Sequence, residues 1–146
     1  MVSYLILYGV VLDTSVLVAA LRSRRGASFG LLELLRAGAF EIAISVPLAV
    51  EYEAVLTRHA VALGLLPGEA VTLVDYLCAV GRRYRIHFLW RPTLRDPNDD
   101  FILELAVAAG CDYIVTHNVA HFVDVDRFGV KVVRPGRFLR QLEEAS

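Results

Sequence analysis

Short apolar runs alternate with longer stretches of helical period from one end of this chain to the other, and that alternation restricts the fold more than any other feature. "YLILYGVVL", "FEIAISV", "RIHFLW", "CDYIVTHN" and "VKVV" have the length and the β-branched or aromatic content of strands. In the second of these, Ile42, Ile44 and Val46 recur with the strand period of two. Between the runs lie helices. "TSVLVAAL" starts a short one, with Thr14 or Ser15 able to accept backbone hydrogen bonds at its beginning. "SFGLLELLRAG" puts Leu31, Leu34 and Leu35 on one side and stops at Gly38. Leu48, Tyr52, Val55 and Leu56 predict a helix from Pro47 to Leu63, with the proline in the first turn, where its missing N–H costs nothing. "PGEAVTLVDYLCAVGRRY" repeats the pattern with Val74, Leu77 and Cys78. "DPNDDFILELAVAAG" is the clearest helix, with Asp96 as N-cap, Pro97 first, Asp99 and Asp100 in the first turn and Gly110 as the stop. "PGRFLRQLEE" is a last helix with a polar end.

Such alternation builds an α/β fold, a central parallel sheet with helices on both faces. The 146 residues, 56% of them hydrophobic, fill one core, so a single domain over residues 1–146 is expected. The opening apolar run is far shorter than the roughly 20 residues that cross a bilayer, and it lacks the basic start and small-residue cleavage site of a leader, so no membrane partner is expected. Cys78 and Cys111 are far apart and outside any CxxC spacing, which suits reduced thiols in a cytoplasmic protein.

Ligands of parallel α/β sheets sit outside the carboxyl ends of the strands, so the polar residues at those ends are the candidates for function. Asp13 ends the first strand, and Glu51 lies early in the helix after the second. Asp96, Asp99 and Asp100 open a later helix, and Thr116 and Asn118 follow the next strand. Glu53 is the alternative to Glu51. Glu51 is three after Leu48 and four before Val55, on the inward stripe, whereas Glu53 points to roughly the opposite side. By the same spacing Asp99, three before Ile102, faces inward, and Asp100 turns more outward.

Carboxylates converging on one rim repel one another and must protonate, separate or share a cation. The sole lysine, Lys131, is not near them in sequence, and its scarcity also weakens Schiff-base or phosphate-loop chemistry. A hard divalent cation, Mg2+ or Mn2+, is the economical partner: it keeps several waters, leaves positions for phosphate oxygens and activates water for in-line attack on a phosphodiester. With a net charge of -1, a polyanion gains no overall attraction and needs a local patch or a metal. "RSRR" at 22–25 and "RRYR" at 82–85, with Arg91 and Arg95, are the candidate patches.

On "VVLDTSVLVAAL", "ISVPLAVEYEAVLTR", "DPNDDFILELAVAAGCDYIVTHN" and "VVRPGRFL", in that order, the chain resembles the PIN-domain nucleases, and in particular the VapC-like toxin ribonucleases. The resemblance implies a PIN-like three-layer α/β/α fold. It implies Asp13, Glu51 and Asp99 as the metal-binding catalytic acids, with the hydroxyls of Thr14, Ser15 and Thr116 in support. It implies single-stranded RNA as substrate, a Mg2+ or Mn2+ requirement, a small antitoxin that occludes the site, and a homodimer as a common assembly. One departure stands out: many relatives carry a fourth acid in a TxD arrangement, where this chain has "THN". Asn118 can ligate or orient water through its amide oxygen, but it removes a negative charge, which Asp96 could replace at the rim.

Other readings remain. A PIN domain weakened by Asn118 would act as an RNA- or partner-binding module. The acids at 96 and 99 could simply cap a helix, as could Asp13, and Glu51 could pair with Arg58 or Arg95. His117 and His121, four apart, could form half of a zinc site with Cys111, although they lie in a strand-to-loop passage. A phosphatase with Asp13 as nucleophile lacks the second Asp of the usual DxD pair, since Ser15 occupies that place.

Overall fold

The computed structural model describes residues 7–85 and 97–145, with side chains from residue 99 onward in the second stretch. Five strands form one sheet: β1 (Gly9–Leu12), β2 (Glu41–Ile44), β3 (Arg82–Arg83), β4 (Tyr113–Val115) and β5 (Lys131–Val133). Their order is β3-β2-β1-β4-β5, and every pairing is parallel. The helices are α1 (Thr14–Arg22), α2 (Ala27–Arg36), α3 (Val46–Arg58), α4 (Glu69–Val80), α5 (Pro97–Ala108) and α6 (Pro135–Ala145). The α/β class and the three-layer arrangement match the reading of the sequence.

The elements form for the local reasons expected, with some shifts. Gly38 and Gly110 adopt left-handed backbone at φ +80° and +63°, a conformation that other residues rarely accept, and so end their helices. Pro47 sits in the first turn of α3, whose N-cap Ser45 accepts from the Leu48 N–H at 3.3 Å. That helix stops at Arg58 rather than Leu63 and passes into turns that end at Gly64, φ +72°. In β2, Ala43 is buried along with Ile42 and Ile44, because both faces of an inner parallel strand are covered. The third strand forms at Arg82–Arg83, ahead of "RIHFLW", of which only Arg85 is among the described residues. Asp96, Arg91 and Arg95 lie outside them as well.

β1 is the centre of the sheet, with Val10, Val11 and Leu12 essentially inaccessible to water. From β1 the chain moves outward through β2 to β3, then returns to the other side as β4 and β5. The boundary between β1 and β4 is therefore the point where the strand order reverses, and a crevice opens there above the strand ends. The register Leu12↔Val115 continues upward, since the Asp13 N–H donates to the Val115 carbonyl at 2.9 Å, so Asp13 and Thr116 leave the sheet side by side.

At the β5 side, α6 is anchored by Phe138, which packs against Phe40, Tyr113 and Tyr8 with ring centroids 5.3–6.2 Å apart. Gln141 adds a donated bond to the Tyr113 hydroxyl at 2.7 Å.

Candidate active site

Asp13 is the N-cap residue of α1, yet its carboxylate makes no capping bond. Instead, Oδ2 accepts from the Ser15 hydroxyl at 2.8 Å and from the Thr116 hydroxyl at 2.6 Å. A capping role therefore does not account for this acid. Thr116 is fully buried, and its oxygen also accepts from the Asn118 N–H at 2.9 Å. Ser15 in turn accepts from the His117 N–H at 3.2 Å. The loop after β4 is thus tied to the start of α1 by the two hydroxyls that hold Asp13. Neither Thr14 nor Ser15 caps the helix, contrary to expectation, because Ser15 is drawn to Asp13, and the Thr14 hydroxyl is buried with no hydrogen-bond partner.

Asp13, Glu51 and Asp99 line one cleft of about 630 Å³, and Thr14, Ser15 and Asn118 line it with them. Glu53 is exposed on another face of α3, beside Val50 and Thr57, the orientation that the helical phase predicts. Asp99 is 8% exposed, but Asp100 is also buried, at 9%, and does not turn outward as the spacing suggested. The reason is that α5 is enclosed on most sides: Ile102, Leu103, Glu104, Leu105 and Ala106 are all buried, so apolar periodicity cannot distinguish its faces.

Several cleft residues escaped the sequence reading in this role. Nδ1 of His121 stands 3.5 Å from Oδ2 of Asp99. The His117 ring contacts the buried hydroxyl of Ser28 at 3.0 Å and lines the cleft. Arg22, from the candidate patch "RSRR", lines it too. Tyr52, adjacent to Glu51, is buried and donates its hydroxyl proton to the Leu12 carbonyl, joining α3 to the end of β1. Burial, then the negative charges of Asp13 and Glu51, push this phenol well above its usual range, so it stays a donor. In sequence it was simply one more apolar position of α3.

Cys111 lies before β4, at the opposite end of that strand from His117 and His121, and burial followed by the charge of Asp112 pushes its thiol up to about 12. With the thiol and the two imidazoles at opposite ends of one strand, the zinc reading is unsupported. None of the arginines of "RRYR" lines the cleft, and Arg82 pairs with Glu41 at 3.0 Å on the β2–β3 edge.

Among the described residues, no three His, Cys, Asp or Glu side chains close a ready-made metal cage. The donor set still fits a hard divalent ion that keeps most of its shell as water, since the cleft offers carboxylate and hydroxyl oxygens, one of them the orphaned buried Thr14 hydroxyl.

A parallel α/β/α sheet with an acidic cleft at its switch point is the class of architecture that fold and site define. The sequence matches the PIN domain family over residues 9–120, and the chain belongs to that family, whose members are generally nucleases. Its fold is similar to the crystal structure of VapBC2 from Rickettsia felis bound to a DNA fragment from their promoter. That match has a TM-score of 0.58 and 17% identity, and it covers 86% of this chain and 98% of the other. None of the curated proteins is matched by the sequence. Among the described residues no helix is long and apolar enough to cross a membrane.

Proposed function

We propose that this protein is a Mg2+- or Mn2+-dependent endoribonuclease that hydrolyses phosphodiester bonds in single-stranded RNA, as the toxin of a toxin–antitoxin pair. The observation that carries the reading is Asp13, a buried carboxylate at the switch point that two hydroxyls hold by one oxygen while it serves no helix cap. Asp13, Glu51 and Asp99 would hold the cation, with Asn118 beside them as a neutral oxygen donor. When bound, the ion supplies an activated water and offsets charge building on phosphorus.

The chain's own side chains do the rest. Ser15 and Thr116 saturate Oδ2 of Asp13, which leaves Oδ1 as the acceptor for the cleft. Tyr52 fixes the spacing between Glu51 and Asp13 by tying α3 to the Leu12 carbonyl. Arg22, on the α1 wall, offers a fork of donors to a phosphate. The likeness to a VapBC2 structure supports a small antitoxin as partner, and we extend the reading to a single domain in the cytoplasm that pairs as a homodimer.

A second reading, an RNA- or partner-binding module with a weakened site, is favoured by Asn118, a neutral side chain lining the cleft where the family resemblance implies an acid. One experiment separates the two. Purified protein is incubated with single-stranded RNA in Mn2+ or in EDTA, beside Asp99→Asn. We expect cleavage in Mn2+ alone and a loss of at least about 100-fold in the variant. Equal cleavage in EDTA would overturn the metal assignment, and manganese binding by calorimetry without cleavage would select the binding module.

A further inference from the structure

A second groove, of about 830 Å³, runs between β5 and α6, with Lys131, Arg137, Arg140, Gln141, Asp126 and Glu144 among its walls. None of Lys131, Arg137 and Arg140 makes a side-chain hydrogen bond or ion pair among the described residues, and all three are exposed. Arg137 stands in the first turn of α6 and Arg140 at its middle, whereas Glu144 sits in its last turn. Lys131, the first residue of β5, lies toward the strand amino ends, and Arg137 lies at the end of the groove nearest the strand carboxyl ends.

That end adjoins the acidic cleft. Arg134, between β5 and α6, donates to the His117 carbonyl at 3.0 Å, and His117 lines the cleft. Arg134 thus joins the cleft wall to the start of α6, which carries Arg137 and Arg140 into the groove, with Lys131 on β5.

The charge order along α6 sharpens the point. A helix is stabilised by acids in its first turn and cations in its last. Here no acid stands in the first turn and no cation in the last; Arg137 is near the start, and Glu143 and Glu144 are at the end. Helix stability does not explain this inverted pattern, and neither does internal pairing of the arginines. An external anion would.

We propose that the groove between β5 and α6 binds the phosphate backbone of a single-stranded RNA whose scissile segment lies in the acidic cleft, with Arg134, Arg137, Arg140 and Lys131 as phosphate contacts. This rests on the nuclease reading above and extends it, since it states where the strand runs beyond the reacting phosphate. It also answers the charge problem set by the sequence: a chain of net charge -1 attracts a polyanion only through a local patch or a metal, and this groove supplies such a patch.

The test uses a fluorescein-labelled single-stranded RNA oligonucleotide of mixed sequence, full-length protein and anisotropy in EDTA, so that binding is read apart from cleavage. Wild type is compared with Arg137→Gln/Arg140→Gln over a salt series. Each lost phosphate contact lowers the slope of log affinity against log salt by about 0.7, so the double variant should lose about 1.4 and bind on the order of tenfold more weakly. Its thermal midpoint should be equal to or above that of wild type, because a cation is removed from the wrong end of a helix. Lys131→Gln, on the opposite wall, should lower the slope by about 0.7 on its own. An unchanged slope and affinity in both variants would overturn the proposal and point to an acidic protein segment as the occupant. Normal binding by wild type without cleavage in Mn2+ would count against the nuclease reading and leave the groove assignment standing.

Discussion

Asp13 and Asp112 belong to opposite ends of one parallel sheet, and the same side chain serves two purposes there. Asp112, exposed at the amino end of β4, accepts from the Gly9 N–H at 2.9 Å and so pins the start of β1 to its neighbour. Asp13, buried at the carboxyl end of β1, takes its bonds from two side-chain hydroxyls and lines a cleft. Nearby acids show the same division: Glu41 at the amino end of β2 meets Arg82 in solvent, whereas Asp99 and Asp100 are withdrawn from water beside the cleft. A buried carboxylate costs far more free energy than an exposed one, so its retention needs a compensating partner or a function. Strand direction decides which end receives the buried acids, because the loops that leave the carboxyl ends diverge at the switch point.

The strongest test of this contrast substitutes the two aspartates in parallel. Asp13→Asn should lower RNA cleavage by at least about 100-fold, whereas Asp112→Asn, which keeps an oxygen for the Gly9 N–H, should leave stability within about 0.5 kcal/mol and cleavage nearly unchanged. Comparable losses of cleavage from both would break the comparison.

Next in size is Thr116→Val, nearly the same shape without the hydroxyl. It removes one donor to Asp13 and the acceptor of the Asn118 N–H, in a fully buried position, and should cost about 1–3 kcal/mol in urea denaturation. A cost near zero would mean that the hydroxyl does not hold the carboxylate in solution.

Tyr52→Phe should cost about 1 kcal/mol at neutral pH by stranding the Leu12 carbonyl. The raised phenol gives this variant a pH signature as well. The unfolded chain loses the proton near pH 10 while the folded chain keeps it, so the wild-type contribution is intact below about 10 and declines as pH rises above it. The phenylalanine variant should lack that part of the alkaline decline. Identical stability profiles above about pH 10 would show that the Tyr52 hydroxyl titrates as it does in the unfolded chain.

The smallest expected change is a gain. Asn118→Asp adds a charge to the cleft wall and should tighten Mn2+ binding several-fold in calorimetry, in line with the higher affinity of sites with more charged ligands. Unchanged affinity would put residue 118 outside the coordination sphere.

Much of this was legible in the residues themselves. The alternation of strand and helix, the helix stops at Gly38 and Gly110 and the opposite facing of Glu51 and Glu53 depend on neighbours within a turn or two, where propensity and period act. Tertiary packing decided what those rules could not reach. Enclosure of α5 buried Asp100 despite its phase, and pairing beside β2 took up Arg82–Arg83, two charged residues that no strand pattern in the sequence singles out. The Thr116 hydroxyl reaches Asp13 across 103 residues of sequence only because β1 and β4 pair in one register, and a slip of one residue would turn it to the other face of the sheet. The chain by itself determined which chemical groups end the strands; the register and order of the sheet decided which of them meet, since contacts so distant in sequence exist only once the strands have paired.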